Sequence, residues 1–203
     1  MGRQKQLNRL QRKLKQCHQC KQMQGPPVFG LANLSPVMLI GQAPGNKEIE
    51  VHRPFAWTAG KTLFNWFSHI GIDESPFRQK VYMSAVCRCF PGKNPKGGDR
   101  VPSRNEVETC QQWLNQELEL VRPQLLIPVG KLAINRFLTI NKLTEVVGKR
   151  VSIEINEHTI DMIALPHPSG ASTWHRTEPG KTLLFKALKM IQVHPAWKKI
   201  KST

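Results

Sequence analysis

Val37-Met38-Leu39-Ile40-Gly41-Gln42-Ala43-Pro44-Gly45 is a short, unbroken apolar run that ends in a glycine–proline turn. Four consecutive apolar residues without alternation suit a strand buried on both faces, as in a parallel sheet, with the turn at its carboxyl end. Further strands are predicted at Lys80 to Val86 and Gln124 to Val129, and Val151 to Ile155 with His158 to Leu165 predicts a hairpin feeding a fourth core strand. Between them lie helical patterns. Leu63, Phe64, Trp66, Phe67 and Ile70 recur at helical spacing from Ala59 to Ile70. Ser103 with Glu106 three residues on forms a capping box for a helix running to Val121. Another helix is predicted from Lys131 to Leu138, and a last one follows Pro179-Gly180, with Leu183, Leu184, Ala187, Leu188 and Ile191 on one face. Strand–helix alternation of this kind predicts an α/β/α layered domain with a mostly parallel sheet. At 203 residues the chain suits one such domain, spanning 1–203. Its expected edges are a basic N-terminal helix at about 3–16 and a flexible basic C-terminal tail at about 195–203. Gly92 to Pro102, rich in Gly, Pro and Lys, is expected to be of low order.

Thirty Lys+Arg stand against fourteen Asp+Glu, a formal net charge of +16. A surplus of that size implies a polyanionic partner, most simply nucleic acid, because each phosphate neutralised releases counterions. A membrane surface would attract the same charge but needs an amphipathic anchor. The one candidate is Gly2 to Gln16, where Leu7, Leu10 and Leu14 make a narrow stripe without Trp or Phe among six basic residues. No apolar run approaches membrane-spanning length and no signal-peptide core opens the chain, so a soluble, cytoplasmic protein is expected, with no membrane partner.

In a reducing compartment the five cysteines read as ligands rather than disulfides. Cys17-x-x-Cys20 is a chelating pair, and Cys89 and Cys110 complete a set of four thiolates that suits either zinc or an iron–sulfur cluster. Cys87-Arg88-Cys89 offers two candidates for one place. Strand alternation would point both the same way, so spacing leaves the choice open. A second turn, His167-Pro168-Ser169-Gly170, follows the fourth predicted strand. Parallel sheets bind ligands at the carboxyl ends of their strands, so this turn and Gly41–Gly45 are expected to open on one pocket.

Cys17-His18-Gln19-Cys20, Leu39 to Gly45, Arg53-Pro54-Phe55, Ala59-Gly60, Cys89 to Cys110, Ile127-Pro128-Val129-Gly130 and His167-Pro168 together resemble the iron–sulfur uracil-DNA glycosylases, families four and five of that superfamily. The similarity takes in roughly residues 7 to 192; each motif is weak alone and the ordered set is specific. It implies a three-layer α/β/α fold around a four-stranded, mostly parallel sheet. It also implies a structural [4Fe–4S] cluster, zinc being the alternative, and monofunctional excision of uracil or another deaminated base from DNA by a monomer. The family pattern favours Cys89 over Cys87, because Cys89 directly precedes the Pro-containing loop.

Hydrolysis of an N-glycosidic bond leaves an anionic base, so such an enzyme needs a donor aimed at that anion, a place for water and a pocket for an extruded base. His167 is the expected donor, against the plainer role of a loop histidine capping its turn. Gln42 is expected to hold water or contact the base edge. The peptide N–H groups of the Gly41 turn, around Ala43 and Gly45, are expected to touch base or phosphate. Phe55 resembles the aromatic on which the family stacks the flipped base. Ser169 and Gly170 to Ser172 suit phosphates, and Trp174-His175-Arg176 is a candidate wedge and phosphate contact where this superfamily inserts a loop into the minor groove.

Two residues depart from the family pattern. Ala43 stands where the best-known uracil enzymes of the superfamily carry a water-activating Asp, which leaves Glu48 as the nearest carboxylate. Ala85 stands where family four carries an Asn that reads the uracil edge. Loss of a bidentate base contact weakens discrimination by about 1–3 kcal/mol. A broader choice is therefore expected, with uracil leading and hypoxanthine or xanthine admitted. The same two alanines keep a non-catalytic protein that recognises damaged or single-stranded DNA as the alternative.

Overall fold

Val37, Met38, Leu39 and Ile40 are all fully buried, and the strand they form, β1 (Val37–Gly41), lies inside a five-stranded sheet. The computed structural model describes residues 2–95 and 97–202. In chain order its elements are α1 (Arg3–Lys15), β1, α2 (Asn46–Val51), α3 (Thr58–Ser68), α4 (Glu74–Lys80), β2 (Tyr82–Ala85) and α5 (Arg104–Val121). They continue with β3 (Leu125–Pro128), α6 (Lys131–Ile134), β4 (Arg150–Ile155), β5 (His158–Ile163), α7 (Gly180–Val193) and α8 (Pro195–Ser202). Met1 and Thr203, at the limits of the expected domain, and Lys96, in its basic loop, lie outside the described residues.

The sheet order is β2-β1-β3-β5-β4. The first four strands run parallel, in register Ile40 with Ser84 and Pro128, and Leu126 with Met162. The expected four-stranded sheet is therefore corrected to five. The first arm of the predicted hairpin, β4, joins the sheet as an antiparallel edge on β5 instead of merely leading into it. Its residues alternate exposed and half-buried, the pattern of an edge strand with one face to water, whereas β1, β2 and β3 are buried throughout.

Helices cover the sheet. The Leu7, Leu10 and Leu14 stripe is buried and α1 packs along α5, so the one candidate membrane anchor is consumed inside the fold. Among the described residues no helix is long and apolar enough to cross a membrane. The Ser103 capping box forms as expected, with the Glu106 N–H donating to Ser103 Oγ (3.3 Å) and the Ser103 N–H to Glu106 Oε2 (2.7 Å). The helix expected to reach Leu138 ends at Ile134, and α2 and α4 arise where no helix was expected.

Two segments expected to be loose are built. In the loop after Gly92, Lys93 pairs with Asp99 (2.7 Å) and Arg100 forks onto Glu106 (2.7 and 2.6 Å). Gly97 and Gly98 at φ +95° and +75° turn the chain back between them, a conformation that costs glycine least. The expected flexible tail is α8. Ala196, Trp197 and Ile200 make a one-sided apolar face within eight residues that its lysines mask in the sequence, and Trp197 is fully buried. Its indole stacks on Phe67 of α3 (centroids 5.4 Å apart), and Phe67 in turn meets Phe77 of α4 at 4.4 Å. Trp197→Ala should therefore lower the free energy of unfolding by about 3–5 kcal/mol in a denaturant titration; a loose tail would change it by less than about 0.5 kcal/mol.

Candidate active site

Gly41 pairs with Ala85, and Val129 with Leu165, so the turns after β1, β2, β3 and β5 leave the sheet at one edge. A cavity of about 700 Å³ opens there. Gly41, Gln42, Ala43, Gly45, Glu48, Phe55, Ala85, His167 and Ser169 all line it, so nine of the expected residues meet in one place.

His167 is half-buried on Gly130, whose φ of +85° and missing side chain make room for it: a Cβ there would lie 3.1 Å from His167 Cδ2. The Ser169 peptide N–H donates to His167 Nδ1 (3.2 Å). In the neutral ring the proton then sits on Nε2, which remains a donor. Burial, and then the nearby His175, hold the His167 pKa below the ordinary histidine value, so the neutral form prevails at pH 7.

Phe55 is fixed by its backbone. It adopts φ +52°, a left-handed conformation that costs a non-glycine residue on the order of 1–3 kcal/mol. Arg78 of α4 holds it there, donating from Nη1 to the Pro54 carbonyl (2.7 Å) and from Nη2 to the Phe55 carbonyl (2.9 Å), while its guanidinium lies 4.4 Å from the Phe64 ring centre. Gly60 and Gly41 permit this placement. A Cβ at Gly60 would fall 1.8 Å from the Phe55 carbonyl oxygen, and one at Gly41 would fall 2.9 Å from the end of the Phe55 ring.

Glu48 acts as a clip between two loops. Its Oε2 accepts from the Gly45 N–H and its Oε1 from the Ala56 N–H (3.2 Å). Burial raises its pKa, the peptide donors oppose that rise, and Asp99 adds to it. Asp99 lines the same cavity, and nothing in the sequence pattern of its glycine-rich loop marks it. Trp57 and Val101 also line the cavity and are 55 % and 58 % exposed, which leaves an indole at the mouth. Trp57 directly precedes α3 and belongs to none of the motifs.

The segment after Ser169 is different. None of Ser172, Trp174, His175 and Arg176 lines the cavity. Trp174 is half-buried against the core, with its carbonyl 1.9 Å from where a Gly180 Cβ would stand. His175 is buried with its ring 5.2 Å from Trp66, which corrects the expectation that it reaches a phosphate. Ser172 is half-buried and Arg176 exposed.

A second cavity, of about 230 Å³, is lined by Cys17, Cys20, Cys89 and Cys110, with Arg88 in its wall. Cys87 does not line it. The chain leaves the β2 ladder at Ala85, so alternation no longer governs these positions, and the buried Cys87 thiol donates to Cys110 instead. That hydrogen bond, with the Arg88 charge, draws the Cys110 pKa down, while burial raises those of Cys20 and Cys89, the latter to about 12. Among the described residues no group of three His, Cys, Asp or Glu is set to hold a metal ion. Arg88 is 1 % exposed; Nη2 pairs with Glu117, and Nε and Nη1 have no partner among the described residues. An electron-rich group held by four thiolates fits both the thiol-lined cavity and these orphaned donors.

Residues 28–189, well over half the chain, match the profile of the uracil DNA glycosylase superfamily. The type-4 uracil-DNA glycosylase of Archaeoglobus fulgidus is 30 % identical over 171 residues, covering 80 % of this chain and 81 % of that protein. The type-4 enzyme of Pyrobaculum aerophilum is 29 % identical over 172 residues, 80 % and 83 % of the two chains. The type-5 enzyme of the same organism is 30 % identical over 157 residues, 70 % and 65 %. With these similarities added to a parallel-sheet edge that gathers His167, Phe55 and the Gly41–Gly45 turn, the chain belongs to the uracil-DNA glycosylase superfamily.

Proposed function

We propose that the protein is a monofunctional DNA glycosylase that hydrolyses the N-glycosidic bond of uracil, and of a wider set of deaminated bases, as the first step of base excision repair. The observation that carries this is the convergence of a fixed Nε2–H donor, a ring held by its own strained backbone and a run of turn amides on one cavity. An extruded base stacks on Phe55, and its carbonyl faces His167 Nε2. As the bond from C1′ to the base lengthens, negative charge moves into the base, and the hydrogen bond from a neutral imidazole strengthens without a proton changing hands. Gln42 and the amide of Ala43 orient the base and the water, the Gly45 amide being taken by Glu48. Glu48, with both oxygens committed to peptide donors, keeps the Gly45 and Phe55 loops in register and is a positioning residue.

The net charge of +16 supports DNA as the partner. Ser169, Ser172 and the exposed Arg176 offer phosphate contacts, and the exposed Trp57 offers the aromatic surface that half-buried Trp174 does not. We assign the protein to the cytoplasm as a monomer. Cys17, Cys20, Cys89 and Cys110 would hold a [4Fe–4S] cluster. When bound, such a cluster supplies cross-links between the N-terminal segment, the Cys89 turn and α5, and not chemistry at the base.

Release of base from labelled oligonucleotides, read as alkali-labile abasic sites, tests the catalytic assignment. His167→Ala should slow single-turnover release of uracil by roughly 10²–10³-fold, with DNA affinity nearly unchanged. Ala85→Asn should narrow the substrate range, raising the preference for uracil over hypoxanthine by about 1–3 kcal/mol, or roughly 5–150-fold. Cys89→Ser should reduce iron and sulfide content and visible absorbance in the purified protein. Cys87→Ser should leave the iron content near that of the wild type.

A further inference from the structure

Hydrolysis at C1′ needs a group that orients water and takes its proton, and the lining of the catalytic cavity narrows the choice. Three side chains there have the basicity for it among the described residues: His167, Glu48 and Asp99. The first two are committed. His167 Nδ1 accepts from the Ser169 peptide, and both Glu48 oxygens accept from peptide N–H groups. Asp99 differs. Lys93 takes its Oδ1 (2.7 Å), and its Oδ2 lies over the first turn, 3.0 Å from where a Cβ on Gly45 would stand. The carboxylate is partly exposed, 41 % for the side chain, so water reaches it. Its loop is tied down on both sides of the Gly97-Gly98 reversal, by the Arg100 N–H to the Gly92 carbonyl (2.9 Å) and by the Asn94 N–H to the Gly98 carbonyl (2.9 Å).

We propose that Asp99 is the catalytic carboxylate of this site, a role that rests on the glycosylase assignment above. Asp99 Oδ2 accepts a hydrogen bond from a water molecule held over the Gly45 turn. The C1′–base bond breaks with its electron pair leaving on the base, which His167 Nε2–H stabilises. The water oxygen then bonds to C1′ and its proton passes to Asp99. The products are an abasic sugar, the free base anion, which solvent protonates, and a protonated Asp99 that returns its proton to water. The carboxylate charge also opposes the positive charge that builds on the sugar as the bond breaks. Lys93 on Oδ1 fixes the orientation of the carboxylate, and Glu48, across the Gly45 turn, is the other acid that feels its charge.

Single-turnover release of uracil from a labelled oligonucleotide, compared with binding of the same oligonucleotide carrying 2′-fluoro-2′-deoxyuridine, which resists cleavage, tests this. Asp99→Asn should slow release by about 100-fold or more while binding stays within about threefold. Asp99→Ala should be slower still and partly restored by added formate, a small carboxylate that can occupy the space left by the side chain. Loss confined to loop closure would show no rescue and would weaken binding. Release by Asp99→Asn within about threefold of wild type, or a loss in Asp99→Ala that formate does not restore, overturns the assignment while leaving the glycosylase function intact. A wild-type protein that releases no base overturns both.

Discussion

The buried ion pair between Arg88 and Glu117 is the constraint on which both cavities depend. Glu117 of α5 is fully buried and Arg88 is 1 % exposed, so each is the other's charge partner inside the protein. Removing one partner of such a pair typically costs about 3–5 kcal/mol, because the remaining charge stays buried and uncompensated. Glu117 also accepts from Ser84 Oγ (2.8 Å), and Ser84 lies in the wall of the cavity that His167 and Phe55 line. Arg88 lies in the wall of the four-thiol cavity and precedes Cys89. One salt bridge thus fixes the end of β2, the thiol-bearing turn and the face of α5 relative to one another.

Around α3, α4 and α8, apolar contacts do equivalent work. The rings of Phe64, Phe67, Phe77 and Trp197 join α3, α4 and α8, and α4 contributes the Arg78 side chain that holds the Phe55 backbone. The Phe55 ring is therefore positioned by peptide contacts and by two glycines that accept no side chain, together with its packing against the core. A site of this kind keeps its shape before substrate arrives, which is what stabilisation of developing charge requires.

Most of this was legible in the residues. Buried parallel strands announce themselves as unbroken apolar runs, and their turns fall at one edge as a matter of topology, so Gly41–Gly45 and His167–Ser169 met as expected. What the sequence hides depends on packing partners or on where a strand ladder ends. The α8 stripe spans only two turns and is recognisable chiefly because Trp197 finds Phe67. The burial of His175 leaves no mark in the sequence because its partner, Trp66, lies in another helix. The divergence of Cys87 and Cys89 could not be seen because strand alternation ceases at Ala85, and sequence spacing does not reveal where a ladder ends. Asp99 depends on two left-handed glycines and a lysine six residues away to reach the first turn.

Parallel pairing also has a kinetic consequence. Gln42 leaves β1 and His167 follows β5, and β3 separates those strands in the sheet, so the two ends of the site share no local hairpin through which to meet. Each parallel neighbour must be reached by a long crossover, and the entropy of closing those loops is spent before any sheet contact repays it. Helices such as α5, with its own cap, can flicker into existence early, whereas the sheet edge that carries Gln42 and His167 exists only once the sheet is complete. A partly folded chain of this protein therefore carries its positive charge, and with it an attraction for nucleic acid, before it has any means of acting on a base.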